Sequence, residues 1–242
     1  PTTGTITGIN EFGTTGAKTF QNNRIYNFST TSGGAGGATL RGISESTGTT
    51  NTYSGNVIYN LNSTGSTGGT GGTIVGITFS GGTTNNVTGN AIYNLSSTST
   101  NPSVLGINIG GGTTNNLNNN LIGDLKATAS TGNVSISGIQ VASGTTNNIF
   151  HNTVNIAATT TSTSTFGTSA IYFSSSSPVN NLRNNVFVNT SSPGPTGGFT
   201  AAIRYVSAPT STNFPAANNN NLYYAGTAAA NRVIYGEGGT VS

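Results

Sequence analysis

The sequence predicts an all-β protein, about seven coils of 30–34 residues stacked as a parallel solenoid. Three observations lead there: the chain repeats itself along its whole length, its apolar residues alternate with polar ones, and it carries almost no charge. "SGGTTNNVTGNAIYNL" (80–95), "GGGTTNNLNNNLIGDL" (110–125) and "ASGTTNNIFHNTVNIA" (142–157) are versions of one phrase.

Two registers keep step through the repeat. A Gly-Ile or Ala-Ile step recurs at Ile9, Ile43, Ile77, Ile107, Ile139, Ile171 and Ile203, with a partial eighth at Ile234, all within one domain spanning 1–242. An asparagine follows at Asn23, Asn56, Asn90, Asn120, Asn152, Asn185 and Asn220. In "TIVGITF" (73–79) Ile77 and Phe79 alternate with Thr78, and in "NAIYNL" (90–95) Ile92 points inward and Tyr93 outward, the period-two mark of strands. Glycines and "TTNN" punctuate the gap as turns, and no stretch has a capped helical period, so each repeat is about three short strands. No single repeat has enough apolar surface to fold alone, so the repeats must stack, at a strand spacing of roughly 4.8 Å.

Stacking gives each column a role. Isoleucines fill the interior, and the asparagines form an amide ladder that satisfies buried polar groups at a bend. A second ladder is expected at Asn27, Asn60, Asn94, Asp124 and Asn189, broken by Ile156. The column just before the first ladder holds Asn22, Gly55, Gly89, Asn119, His151, Asn184 and Asn219, residue types that tolerate positive φ, so a left-handed bend is expected there.

Composition excludes several functions. Gly, Ser, Thr and Asn exceed half of the 242 residues, 5% are charged and 32% hydrophobic, and a net charge of +3 has no Lys/Arg cluster behind it. Nucleic-acid binding is therefore not expected. No apolar run reaches the ~18 residues of a membrane span. Cysteine is absent, which removes disulfides and thiol chemistry. A chain that starts at Pro1 and lacks Met is expected to be a processed product or part of something longer.

The stacked apolar columns, the asparagine ladders and the "GTTNN" of 82–86, 112–116 and 144–148 resemble the right-handed parallel β-helix family, whose best-known members are pectate-lyase-like. The resemblance spans the whole chain and implies the right-handed coil, in line with the general preference of parallel crossovers. The coils here run longer, the excess sitting in "STTSGGAGG" (29–37), "NSTGSTGGTGG" (62–72) and "ATTTSTSTFG" (158–167), Ser/Thr/Gly-rich loops expected along one edge.

Enzymes of that family use clustered Asp, Ca²⁺ and a basic residue, whereas this chain has only Glu11, Glu45, Asp124 and Glu237. Glu11 and Glu45 occupy one column on adjacent coils. The expectation is structural, with a cation site or a catalytic carboxylate pair as the alternatives: Phe12 turns inward in place of Glu11, and Glu45 pairs with Lys18, Arg24 or Arg41. His151 is a bend residue without a triad partner. No catalytic, cofactor or metal residue is assigned, and no cofactor is expected. Tyr26, Tyr59 and Tyr93, with Tyr223 at the same phase, form an outward strip that is either a stiffening aromatic ladder or a carbohydrate contact. The threonine pairs at 83–84, 113–114 and 145–146 give short rows, a weak pointer to ice binding.

The function expected is a non-catalytic structural or adhesive solenoid, secreted or on the cell surface. It is expected to associate head-to-tail into a filament and to carry or meet glycans at its Ser/Thr loops. A carbohydrate-binding or polysaccharide-degrading β-helix is the alternative.

Overall fold

The structure, a computed structural model, describes residues 4–13, 15–32, 37–65, 71–215 and 218–238. The first coil is β1 (Thr5–Glu11), β2 (Lys18–Gln21) and β3 (Arg24–Ser32); the second is β4 (Thr39–Glu45), β5 (Thr50–Ser54) and β6 (Val57–Gly65). The third is β7 (Thr73–Phe79), β8 (Thr84–Thr88) and β9 (Ala91–Ser97). The fourth is β10 (Ser103–Ile109), β11 (Thr114–Asn118) and β12 (Leu121–Ala127). The fifth is β13 (Ile136–Val141), β14 (Thr146–Phe150) and β15 (Thr153–Ile156). The sixth is β16 (Thr168–Phe173), β17 (Val179–Arg183) and β18 (Val186–Asn189). The seventh keeps β19 (Thr200–Tyr205) and β20 (Leu222–Tyr224), and β21 (Arg232–Glu237) opens an eighth. There is no helix among the described residues.

Successive coils pair in parallel, so three sheets of eight, six and seven strands wrap one core: β1 to β21 in the first, β2 to β17 in the second, β3 to β20 in the third. The isoleucine column is real, with Ile9, Ile43, Ile77, Ile107, Ile139, Ile171 and Ile203 in register. All are buried except Ile9 in the first coil, which is half-buried. The residue before each anchor is Gly8, Gly42, Gly76, Gly106 and Gly138, then Ala170 and Ala202. A Cβ on Gly106 would lie 2.5 Å from both Ile122 Cγ2 and the Gly138 carbonyl oxygen, so its absence is what lets the third sheet's isoleucines press against the first sheet.

The eighth position departs from the sequence expectation. Tyr235, not Ile234, follows Ile203 in register, and Ile234 is 54% exposed. The seventh asparagine also shifts by one. Asn185 Nδ2 donates to Asn221 Oδ1 at 2.8 Å, while Asn220 takes the left-handed bend, with φ of 53°, that was expected at Asn219. The cause of the ladder shift is local: residues 206–221 form no strand among the described residues and cross the end of the second sheet as turns, which puts 18 residues between Ile203 and Asn221 where earlier coils have 13 or 14. The Asn213 and Asn219 carbonyls accept from Asn180 N and Asn184 N at 2.9 and 3.3 Å, and the Asn218 side chain accepts from Leu182 N.

"TTNN" is not a turn. The turn is the preceding glycine at positive φ (Gly82, Gly112, Gly144), and Thr-Asn-Asn begins β8, β11 and β14. The first asparagine of each pair points inward and continues a second buried ladder through Asn51, Asn85, Asn115, Asn147 and Asn180, with Nδ2 to Oδ1 distances of 2.8–3.0 Å. Of the Ser/Thr/Gly-rich stretches, 33–36 and 66–70 lie outside the described residues. Residues 158–167 are described, and Ala158 and Phe166 are buried.

Candidate functional site

The outer face of the third sheet presents the tyrosine strip. Tyr26, Tyr59 and Tyr93 are register partners on β3, β6 and β9. Their rings stack with centroids 5.0 and 5.1 Å apart and planes within 3° and 9° of parallel. Tyr26 and Tyr93 are 46% and 39% exposed, and a hydrogen bond to the Tyr59 hydroxyl holds the Arg24 guanidinium above its usual value. Because each ring faces the next, only the stack's edges and its two end faces are open to a ligand. Tyr223 is not part of it: its ring lies inside against Phe187 at 5.8 Å, and Tyr224 takes the outward register. Burial pushes the Tyr223 hydroxyl up to about 12.

Beside the strip runs the second expected ladder, for part of its length. Asn60 Nδ2 donates to Asn27 Oδ1 at 2.9 Å and Asn94 Nδ2 to Asn60 Oδ1 at 2.5 Å, all three at positive φ. Asp124 shares the left-handed backbone, but its Oδ1 lies 2.7 Å from Lys126 Nζ instead of joining the ladder. A carboxylate has no hydrogen to pass on, so the ladder stops at Asn94. Asn189 is buried on Thr168 and the Ala201 carbonyl and does not extend it.

The carboxylate pair belongs to the first two coils, with Glu45 buried and Glu11 partly exposed. Glu11 and Glu45 are register partners, and Phe12, expected inside, is 72% exposed. The strand alternation of β1 carries through Glu11 without a bulge, and a cation is at hand to compensate it. Lys18 Nζ lies 3.5 Å from Oε1 of each glutamate and donates to Thr47 Oγ1 at 2.5 Å. Lys18 is thus the partner of Glu45, one of the three expected. The Glu45 side chain has no exposed surface; its Oε1 also accepts from Thr47 N and its Oε2 from the Tyr53 hydroxyl at 3.2 Å. Burial, then the charge of Glu45, pushes the Tyr53 hydroxyl far above the usual tyrosine range. Both Glu45 oxygens are thus engaged, and its side chain has no open face in the described structure.

His151 takes the left-handed bend, with φ of 58°, is exposed, and has Nε2 3.4 Å from Asn184 Nδ2. Asn22, Gly55, Gly89, Asn119 and Asn184 share that bend, as their column predicts. Among the described residues no three His, Cys, Asp or Glu side chains converge as a metal site requires.

Two features escaped the repeat phase. The outward asparagines of the second sheet form their own ladder, Asn181 to Asn148 to Asn116 to Asn86, at 2.8–2.9 Å. Of the threonine pairs, the second members lie beside it within strands, with Thr50, Thr84, Thr114 and Thr146 in register, while Thr83, Thr113 and Thr145 stand just before the strands. Arg204 is buried on the first sheet, where Nη1 donates to the Asn133 carbonyl at 2.7 Å, Nη2 to the Gly238 carbonyl at 2.6 Å, and the guanidinium lies 4.3 Å from the Phe199 ring centre. The even spacing of asparagines in "TTNN" carried the first signal; nothing marked Arg204.

Fold and surface together define a parallel β-solenoid whose polar side chains run in files along its axis. Comparison with protein-family models, with curated proteins and with solved structures gives no match.

Proposed function

We propose that this chain is a non-catalytic structural or adhesive β-solenoid, secreted or held at a cell surface, of the right-handed parallel β-helix type that includes the pectate-lyase-like proteins. The observation that carries the reading is the use made of the polar side chains. Buried asparagines are bonded coil to coil, and Lys18 lies 3.5 Å from both paired glutamates. A lattice of this kind supplies stiffness and a regular surface rather than a reaction centre.

Head-to-tail self-association belongs to the same proposal. In the first ladder each asparagine's N–H and Nδ2 donate to Oδ1 on the next coil, as Asn90 does to Asn120 at 3.1 and 2.9 Å. Among the described residues, Asn23 Oδ1 accepts from no side chain, and the Asn221 N–H meets no acceptor. One end accepts and the other donates, a polarity suited to a heterologous, non-closing contact. The edges of β1 and β3 would meet those of β21 and β20 on a second copy. Electron microscopy and sedimentation of the purified chain test this: rods longer than one copy are expected, and a stable monomer at micromolar concentration overturns the filament. Cleavage of polygalacturonate or neutral glycans that disappears in Glu45→Gln would overturn the non-catalytic reading.

The second reading, carbohydrate binding, is favoured by the exposed tyrosine stack. It makes the surface adhesive without requiring any bond to be broken.

A further inference from the structure

The tyrosine stack and the outer amide ladder end at the same level. The register position after Tyr93 is Gly123, and after Gly123 it is Asn155, whose side chain is exposed. Gly123 lies within β12 without a positive φ, and a Cβ built there would meet only the Asn155 carbonyl oxygen, at 3.2 Å. The far face of the Tyr93 ring is therefore left open above a gap one coil high. Tyr93 and Asn155 are two coils apart, about 9–10 Å between Cα atoms, which is room for one ring between two side chains. At the same level no side chain donates to Asn94 Oδ1 among the described residues, because Asp124 has turned to Lys126.

We propose that this notch is a binding subsite for one pyranose ring of a neutral polysaccharide, stacked on Tyr93 as the next member of the aromatic column. The inference rests on the adhesive reading of the surface. Stack rings repeat at 5.0 and 5.1 Å, so a ring laid on Tyr93 falls at the level of Gly123. One face of a pyranose is a patch of axial C–H bonds that suits an aromatic floor, and its rim is a ring of hydroxyls that both donate and accept. The notch offers acceptors at Asn94 Oδ1 and Asp124, a donor at Lys126 and both at Asn155. A purely apolar ring would leave those groups unmatched. The two charged side chains form a 2.7 Å pair about half-exposed to solvent, so the notch as a whole is neutral and selects an uncharged sugar.

The test uses the whole chain and a panel of neutral hexasaccharides (β-1,4- and β-1,3-glucan, α-glucan, xylan and mannan types) with affinity read by titration NMR. At least one glycan is expected to bind, and Tyr93→Ala to weaken it about tenfold or more. Gly123→Tyr should abolish binding by placing a fourth ring in the gap, while its hydrogen-exchange protection equals or exceeds that of the parent. Tyr26→Ala, at the far end of the stack, should leave affinity within about twofold. Failure of every glycan to bind, retained binding in Gly123→Tyr, or an equal loss in Tyr26→Ala overturns the inference. Sedimentation reports on the structural proposal independently, so the loss of one leaves the other standing.

Discussion

Replacing Asn120 with alanine tests whether the buried ladder, and not the isoleucine column alone, holds the coils together. Asn120 is 1% exposed and sits in mid-stack. Its Oδ1 accepts from Asn90 N and Nδ2 at 3.1 and 2.9 Å, and its Nδ2 donates to the Val87 carbonyl and to Asn152 Oδ1, both at 2.8 Å. After truncation, Asn90 N–H and one Nδ2 hydrogen lose their acceptor in the buried interior. Asn90 keeps its bond to the Tyr53 carbonyl, and Asn152 Oδ1 keeps the backbone N–H of residue 120. Each orphaned buried group costs about 1–3 kcal/mol, so the two donors together cost roughly 2–6 kcal/mol. Asn116→Ala is the control, since it removes the same ladder chemistry from the half-buried outer face, where water substitutes and about 1 kcal/mol or less is lost. A solenoid can open coil by coil, so chemical denaturation should be paired with residue-resolved hydrogen exchange, with the protection loss centred on the third to fifth coils. Equal costs for Asn120→Ala and Asn116→Ala, within about 0.5 kcal/mol, would refute the reasoning.

Lys18→Met should cost about 3–5 kcal/mol by denaturation, because it leaves Glu11 and a fully buried Glu45 without a cation. Lys18→Asn with Glu45→Gln should recover that loss, since an asparagine at this register can donate to Asn51 Oδ1, which is buried and without a partner; no recovery relative to Lys18→Met rejects the ladder account of this end. Gly106→Ala should destabilise by about 1–3 kcal/mol through the Cβ contact with Ile122 and the Gly138 oxygen, although Ala170 and Ala202 fill the same column elsewhere; an unchanged urea midpoint would show that the sheets have slack there. Stability should fall as pH rises above about 10, where unfolded tyrosines ionise while Tyr53, Tyr205 and Tyr223, their values raised chiefly by burial, remain protonated. The folded chain then binds more protons than the unfolded one, which fixes the sign, and a midpoint that stays flat to pH 11 argues that these hydroxyls reach water.

What the sequence displayed was whatever repeated with a fixed phase and one residue type. The isoleucine anchors, the bend column with His151 and the first ladder through Asn185 all obey that rule. Legibility failed where one type serves two environments. Asparagine is common in turns, so Asn85 looked like punctuation although it points into the core. Phe12 and Glu11 were ordered by hydrophobicity, but Lys18, close only in the folded coil, reverses the preference. Phase also broke at 206–221, where the longer path from Ile203 moved the ladder to Asn221, while Tyr235 keeps the 32-residue spacing of the preceding coils that Ile234 would have broken. The tyrosine strip was legible; the gap at Gly123 that ends it was not, because a missing side chain gains meaning only from its register neighbours.

The amide files also have directions, and these differ between inside and outside. Inside, the backbone fixes the orientation: Asn56 N donates to Asn90 Oδ1 and its Nδ2 also reaches the Phe20 carbonyl, so the amides donate toward the later coil. The inner ladder from Asn51 to Asn180 runs the same way. Outside, Asn60 donates back to Asn27, and Asn116 back to Asn86. Within a file, aligned amides polarise one another and strengthen each bond, while opposed inner and outer files offset the dipole that a single set would accumulate along the axis. Only the inner files are tied to backbone groups, so only they impose polarity on a coil added at either end. At the Asn51 file Lys18 has replaced the asparagine that would come first, which leaves Asn51 Oδ1 unmatched inside the chain. The Asn23 file has no such stop. Its open acceptor lies at one end of the solenoid and the Asn221 donor at the other, so any coil that docks on this file must arrive in the same orientation as the coils already stacked.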